Sequence, residues 1–211
     1  MQWSSPWGEG YPGWHIECSV MSMKYLGTTF DIHGGAKELA FPHHENEIAQ
    51  SEALTGKKLA NYWIHTGLLL INNEKMSKSL ANFTTIEDIL KDYSPEEIRF
   101  FILSNQYSSQ INLKDEVLIS AKNSLEKINN FIFQIKSKYR DKYNLNLNLK
   151  LKLFKENFET AMDNDFNTPI ALSHLFNFVN YANKVISSEE YDKKNAYEII
   201  DYFKKVNFLF K

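Results

Sequence analysis

Val117, Leu118, Ala121, Leu125, Ile128, Ile132 and Ile135 recur at spacings of one, three or four residues. That period lines one face of a long amphipathic helix. Shorter helices are predicted over Thr85–Lys91 and Pro95–Leu103, and further ones over Leu153–Met162, Thr168–Ile186 and Asn195–Phe210. Thr168-Pro169 reads as a cap followed by a first-turn proline. Between Asn144 and Lys152, leucine alternates with asparagine or lysine. Alternation is the period of a strand, but no partner strand is apparent, so this stretch is expected to be a linker.

The first ninety residues carry a different pattern. Trp14–Tyr25 reads as a helix, and Thr28–His33 (TTFDIH) as a short buried strand ended by Gly34-Gly35. Pro42 opens a helix through about Leu54, since proline is tolerated at or just before a first turn. Tyr62–His65 and Leu68–Ile71 read as two more short strands. Helices alternating with strands predict a parallel sheet, here with too few strands to close a complete nucleotide-binding fold. The expected architecture is therefore α/β over residues 1–90, a partial Rossmann-like nucleotide-binding domain. An all-α helical bundle over residues 91–211 follows it, and the chain is mostly helical overall.

Composition sharpens this division. All eight glycines, all four tryptophans and five of the six histidines precede residue 91, whereas residues 91–211 have no glycine and only Pro95 and Pro169 as prolines. Chemistry is expected in the turn-rich first part. With 43% hydrophobic and 24% charged residues the chain should build a real core. A net charge of −2 confines any RNA contact to a local patch. Cys18 is the single cysteine, so no internal disulfide forms and a cytoplasmic setting is expected. No stretch approaches the roughly 18 apolar residues of a membrane span. Trp3, Trp7 and Trp14 sit among glycines and prolines, as in a loop that packs on something already built, and the chain reads as a piece of a longer protein.

Two sets of residues are candidates for chemistry. Lys75-Met76-Ser77-Lys78-Ser79 places two lysines around small hydroxyl residues, just after an Asn72-Asn73 turn. Lysine suits phosphate as a point charge on a flexible stem, although a solvated turn would have the same composition. Cys18, His43 and Glu47 can ligate a metal. His43 and Glu47 are four apart and share a helix face. Thiolate, imidazole and carboxylate together suit zinc, with one position left open. Each residue also has an ordinary reading: a small buried thiol, a helix cap, a surface carboxylate.

GWHIECS at 13–19, FDIHGG at 30–35, FPHHENEIAQSEA at 41–53 and KMSKS at 75–79, in this order and spacing, resemble the cysteinyl-tRNA synthetase family. AMDNDFNTPIAL at 161–172 resembles the helical domain that follows the catalytic domain there. The resemblance covers the whole chain. It implies cysteine activation by ATP with Mg2+, transfer to tRNA(Cys), and a monomer. It also implies that Cys18, His43 and Glu47 are three of four zinc ligands; the fourth would be a cysteine near the start of the family's chains. Trp14 would close over the amino acid, His33, Gly34 and Gly35 would line the adenylate pocket, Lys78 would contact ATP, and Lys75 would assist with the phosphates. Both lysines would be catalytic through charge stabilisation. The family's HIGH motif has no counterpart in these residues, so the chain alone is expected to be inactive. Ala36 stands where a third glycine is common, Glu38 where an Asp is frequent, and Leu80-Ala81-Asn82 where Leu-Gly-Asn is common. Two other readings share the motifs: a mycothiol-type cysteine ligase, and a non-catalytic truncated paralogue that binds tRNA or a partner.

Overall fold

The computed structural model describes residues 2–76, 82–140, 142–188 and 191–207. The chain forms two compact units, Met1–Leu68 and Leu69–Lys211.

The first unit begins with an antiparallel hairpin, β1 (Trp3–Ser5) and β2 (Gly8–Gly10), where a loop was expected. Gly8 has φ +114°, a conformation that favours glycine, and the Ser5 hydroxyl donates to its carbonyl at 2.7 Å. Helix α1 (His15–Leu26) ends at Gly27, whose φ is +92°. Strand β3 (Phe30–Ala36) pairs in parallel with β4 (Ala60–Thr66), in register from Phe30↔Ala60 to Ala36↔Thr66. Between them lie a 3-10 turn (Lys37–Leu39), a π turn (Ala40–His44) holding a cis Phe41–Pro42 peptide, and α2 (Glu45–Thr55).

Gly34 and Gly35 do not end the strand; β3 runs through both. A Cβ on Gly34 would lie 3.2 Å from the Ile64 carbonyl oxygen, and one on Gly35 would lie 2.9 Å from both His44 Cε1 and Leu39 Cδ1. The glycines therefore serve close approach within the strand rather than termination.

The second unit opens with β5 (Leu69–Ile71) and β6 (Glu74–Lys75), joined by Asn72 and Asn73 at φ 51° and 70°. Positive φ at both central residues is the tight hairpin turn that asparagine tolerates. Strand β7 (Ile111–Leu113) pairs in parallel with β5. This pairing ties Leu69–Ile71 to residues beyond 110, so the contacts divide at 68/69 whereas composition shifts near residue 90. Helix α3 (Ile86–Ile89) is one turn. Helix α4 (Pro95–Leu103) starts in a capping box of Ser94 and Glu97. The bundle consists of α5 (Asp115–Ser137), α6 (Leu145–Asp163), α7 (Thr168–Ser188) and α8 (Lys193–Asn207).

The Asn144–Lys152 stretch is not a linker but the first half of α6. Leu147, Leu151, Phe154 and Phe158 are buried, at spacings of four, three and four, while Leu145, Leu149 and Leu153 are exposed at 60%, 54% and 46%. Alternate leucines thus supply two helical stripes at once, of which one faces the core. The Asn144 side chain caps the helix, accepting from Leu147 N at 2.9 Å. At the start of α7 the capping acceptor is Asn167, not Thr168: its Oδ1 receives Ile170 N at 3.3 Å. The core joins Phe131, Phe154, Phe178 and Phe203, with the Phe154 and Phe178 rings stacked at 5.1 Å. No helix among the described residues is long and apolar enough to cross a membrane.

Candidate metal centre

Glu47 lies in the first turn of α2 and is fully buried. A buried carboxylate is costly unless something compensates it, and three imidazole or thiol groups converge on this one. His43 Nε2 lies 2.6 Å from Glu47 Oε1, and His33 Nε2 lies 2.5 Å from Glu47 Oε2. The Cys18 thiol lies within 4.8 Å of Glu47 as well. Burial, then the charges of Glu47 and Glu17, hold that thiol above its ordinary pKa. The elements explain the convergence. His43 and Glu47 share a face across the junction of the π turn and α2, Cys18 projects from α1, and β3 delivers His33.

The ligand atoms of Cys18, His43 and Glu47 lie within 4.8 Å of one another, as do those of His33, His44 and Glu47. Despite its nearness to His43, Glu47 Oε1 has no donor in hydrogen-bonding geometry. An orphaned, fully buried carboxylate oxygen facing an imidazole and a thiol fits a cation. Thiolate, imidazole and carboxylate are a zinc donor set, and three protein ligands leave a fourth position open. A dication would also reverse the Cys18 shift, since coordination deprotonates a thiol.

Four neighbours escaped the sequence reading. His15 Nδ1 lies 2.7 Å from His43 Nδ1, and His44 Nδ1 lies 2.8 Å from His65 Nε2. The Trp63 ring sits 4.8 Å from His33 and 5.0 Å from His44. Burial, then His33, His65 and His43, push His44 down to about 4, so it is a neutral imidazole at pH 7. The available signal was register: His33 pairs with Trp63 and Gly35 with His65, alternate positions that share one face of the sheet.

Trp14 packs its ring 4.3 Å from that of His43 and is more than half exposed. The structure thus brings Trp14, Cys18, His33, His43 and Glu47 together, with Gly34 and Gly35 in the strand beneath. Lys75 lies in β6 of the other unit. Asn82 Nδ2 donates to the Lys75 carbonyl at 3.2 Å, which closes the two described ends of the lysine stretch. Lys78 lies outside the described residues.

Residues 1–123 match the family profile described as "tRNA synthetases class I (C) catalytic domain", and residues 157–209 match the DALR domain. The chain belongs to the cysteinyl-tRNA synthetase family. It is 51% identical over 213 residues to the cysteine–tRNA ligase of Bacillus cereus (strain G9842), covering 99% of this chain and 45% of the relative. It is 49% identical over 214 residues to that of Bacillus cytotoxicus, with the same coverage. The chain therefore spans a little under half the length of the curated relatives it matches.

Solved structures of other synthetases share the fold. An Agrobacterium radiobacter LeuRS–tRNA–LeuAMS ternary complex matches with TM-score 0.61 at 16% identity, over 74% of this chain and 22% of that one. Mycobacterium tuberculosis methionyl-tRNA synthetase with methionyl-adenylate matches with TM-score 0.60 at 18% identity, over 75% and 34%.

Proposed function

We propose that this chain supplies a cysteinyl-tRNA synthetase with its amino-acid-selecting metal centre and its phosphate-binding lysines, and that Cys18, His43 and Glu47 hold zinc. The observation that carries the reading is the orphaned, fully buried Glu47 Oε1 facing His43 and Cys18. Bound there, zinc would supply a Lewis acid that takes a thiolate far more readily than a neutral hydroxyl, and so separates cysteine from serine where an apolar pocket separates them poorly.

The protein groups have distinct tasks. Trp14, tilted against His43 and more than half exposed, closes over the amino acid. Glu47 Oε2 meets His33 at 2.5 Å, which ties the selecting centre to β3. Gly34 and Gly35 let backbone approach where a side chain would intrude. Lys75 and Lys78 bring positive charge to the ATP phosphates, with Mg2+ accompanying ATP as substrate. They act through charge stabilisation and positioning rather than through a covalent intermediate. The acyl group then passes to tRNA(Cys). The protein works in the cytoplasm as a monomer, and the 211 residues by themselves do not catalyse the reaction.

The decisive experiment is a competition titration of the purified chain with a chromogenic zinc chelator, alongside Cys18→Ser and cysteine-dependent ATP–pyrophosphate exchange. Saturable zinc binding lost in Cys18→Ser, with exchange at background, is the expected result. Wild-type zinc affinity in Cys18→Ser would overturn the metal assignment, and exchange above background would overturn the inactivity of the isolated chain.

A further inference from the structure

Asn112 stands in the middle of β7, between Ile111 and Leu113, although asparagine is a poor strand former. Its partner across the sheet is Leu70, whose other partner is Lys75. Its side chain reaches Asn73, in the turn that joins β5 to β6. Asn73 N donates to Asn112 Oδ1 at 2.9 Å, and Asn112 Nδ2 donates to Asn73 Oδ1 at 2.6 Å. A backbone N–H can only donate, so the first bond fixes which end of the Asn112 carboxamide is oxygen; the second then fixes the Asn73 carboxamide. Both polar ends of one side chain are therefore spent on one turn residue. Asn72 N adds a bond to the Leu113 carbonyl at 3.2 Å. Asn73 has φ 70° at the second central position, where glycine is the usual residue of such a hairpin. Glycine would relax the backbone there but would offer no Oδ1 to Asn112.

From this geometry we infer that Asn112 is a positioning residue for Lys75: its carboxamide clamps the Asn72-Asn73 turn to β7 and so sets the place from which Lys75 meets the ATP phosphates. The inference rests on the phosphate reading of the lysines above. An isolated two-stranded hairpin is marginal in water, and this one is short, pairing Leu70 with Lys75 and Ile71 with Glu74. What steadies it is β7, and β7 is held at both ends. Downstream, Lys114 follows directly as the N-cap of α5. Upstream, Gln106 Nε2 donates to the Asp165 carbonyl at 2.8 Å, and the Tyr107 hydroxyl donates to Asp165 Oδ1 at 2.7 Å. The clamp thus references the Lys75 backbone to the helical bundle. The lysine side chain supplies a charge on a flexible stem, and the clamp supplies the fixed base of that stem. A polyanion that binds the clamped hairpin loses apparent affinity in proportion to the fraction of chains left unclamped.

The test uses the whole 211-residue chain and inorganic pyrophosphate. Lys75 is exposed, so its acetylation by a water-soluble active ester can be followed by peptide mass spectrometry. Protection by increasing pyrophosphate then gives an apparent Kd at that residue. Asn112→Ala and Asn112→Val both remove the clamp, but valine is the better strand former and strengthens β7 while it frees the turn. Loss of two hydrogen bonds allows the apparent affinity to fall about 5–100-fold. That fall is expected in both variants, with the urea transition of the bundle, followed by circular dichroism, unmoved. Asn73→Gly keeps the backbone donor and eases the turn but loses the side-chain bond, so a smaller fall is expected. Combined with Asn112→Ala it should be no weaker than Asn112→Ala alone, because the two act through one contact. Wild-type protection in Asn112→Val would leave Asn112 a strand-forming role and overturn the inference, and so would a double variant whose losses add. Should Asn112→Ala fail to fold, judged by its helical signal, the valine variant still decides. A wild-type chain whose Lys75 is not protected by pyrophosphate would overturn the phosphate reading itself, a result distinct from any difference among variants.

Discussion

The two units solve the burial problem in opposite ways. In Leu69–Lys211 the buried set is almost wholly apolar, with Phe131, Ile135, Leu147, Leu151, Leu175 and Ile199 among the most enclosed; Asn195 is its one buried polar side chain among the described residues. Asn195 is satisfied, donating to the Asn144 carbonyl at 3.1 Å and accepting from Asn144 N at 2.8 Å. In Met1–Leu68 the buried apolar set is Phe30, Leu59 and Ala60, with Trp63 packed against it. The rest of that unit's buried side chains are polar: Ser19, His43, His44, Glu47 and Ser51. One unit is held by area removed from water, the other by a polar network whose members are also the chemistry. Such networks are rigid when fully satisfied and costly when one partner is missing, and Glu47 Oε1 and Ser51 Oγ are where this one stands open.

The comparison is easy to break because all four tryptophans precede residue 69 and most helix follows it. Tryptophan fluorescence reports the first unit, and far-ultraviolet circular dichroism mainly the second. The largest effect is expected in the bundle. Phe131 is buried and meets Phe203 at 5.2 Å and Phe178 at 6.2 Å between ring centroids. Phe131→Ala should cost about 3–5 kcal/mol by lost transfer energy and cavity formation. Urea titration should show this in circular dichroism, with zinc affinity unchanged. A fall in zinc affinity would mean that the two modes of stabilisation are not separate.

Next in size is the metal. A ligand that binds only the folded state stabilises it by about 2.7 kcal/mol at a concentration one hundred times its Kd. Zinc at that excess should shift the fluorescence-detected urea transition by this amount and leave the dichroism transition in place. Equal shifts in both probes would contradict the assignment of the cation to Met1–Leu68.

Gly35→Ala should come third. Its Cβ would meet His44 and Leu39 at 2.9 Å, a clash in a packed setting that typically costs about 1–3 kcal/mol. Displacing His44 disturbs the hydrogen bond to His65, so the fluorescence transition should move to lower urea. An unmoved transition would show that His44 and Leu39 yield freely.

How far the sequence disclosed these two regions follows from the range of the interactions. The Asn72-Asn73 turn and the shared face of His43 and Glu47 are local, set by neighbours within a few residues, and both could be read directly. The site's other half is not local. His33 reaches Glu47 across 14 residues and His15 reaches His43 across 28. Neither spacing has a helical or strand period, so only the tertiary fold, with β3 delivering His33 to α2 and α1 packed on α2, brings them together. The glycines of β3 read as punctuation because a close approach by His44 leaves no trace in the residues around them.

The last comparison, which includes the smallest single effect, settles the first half of α6, the stretch that the pattern concealed. In a strand, Leu147 and Leu149 would share a face and respond alike to truncation. In α6 they do not: Leu147 is fully buried, and Leu149 is 54% exposed. Leu147→Ala should therefore cost about 2–5 kcal/mol, against a change within about 0.5 kcal/mol for Leu149→Ala, as for surface substitutions in general. Alanine is the better helix former, so the sign at position 149 can even favour the variant slightly. Urea titrations of the two single variants, followed by circular dichroism, make the comparison. Similar losses at both positions would return the segment to a two-residue period and remove α6 as the helix that closes the bundle core. A large difference fixes the period as helical and leaves Leu145, Leu149 and Leu153 as a stripe that contributes little to the stability of this chain.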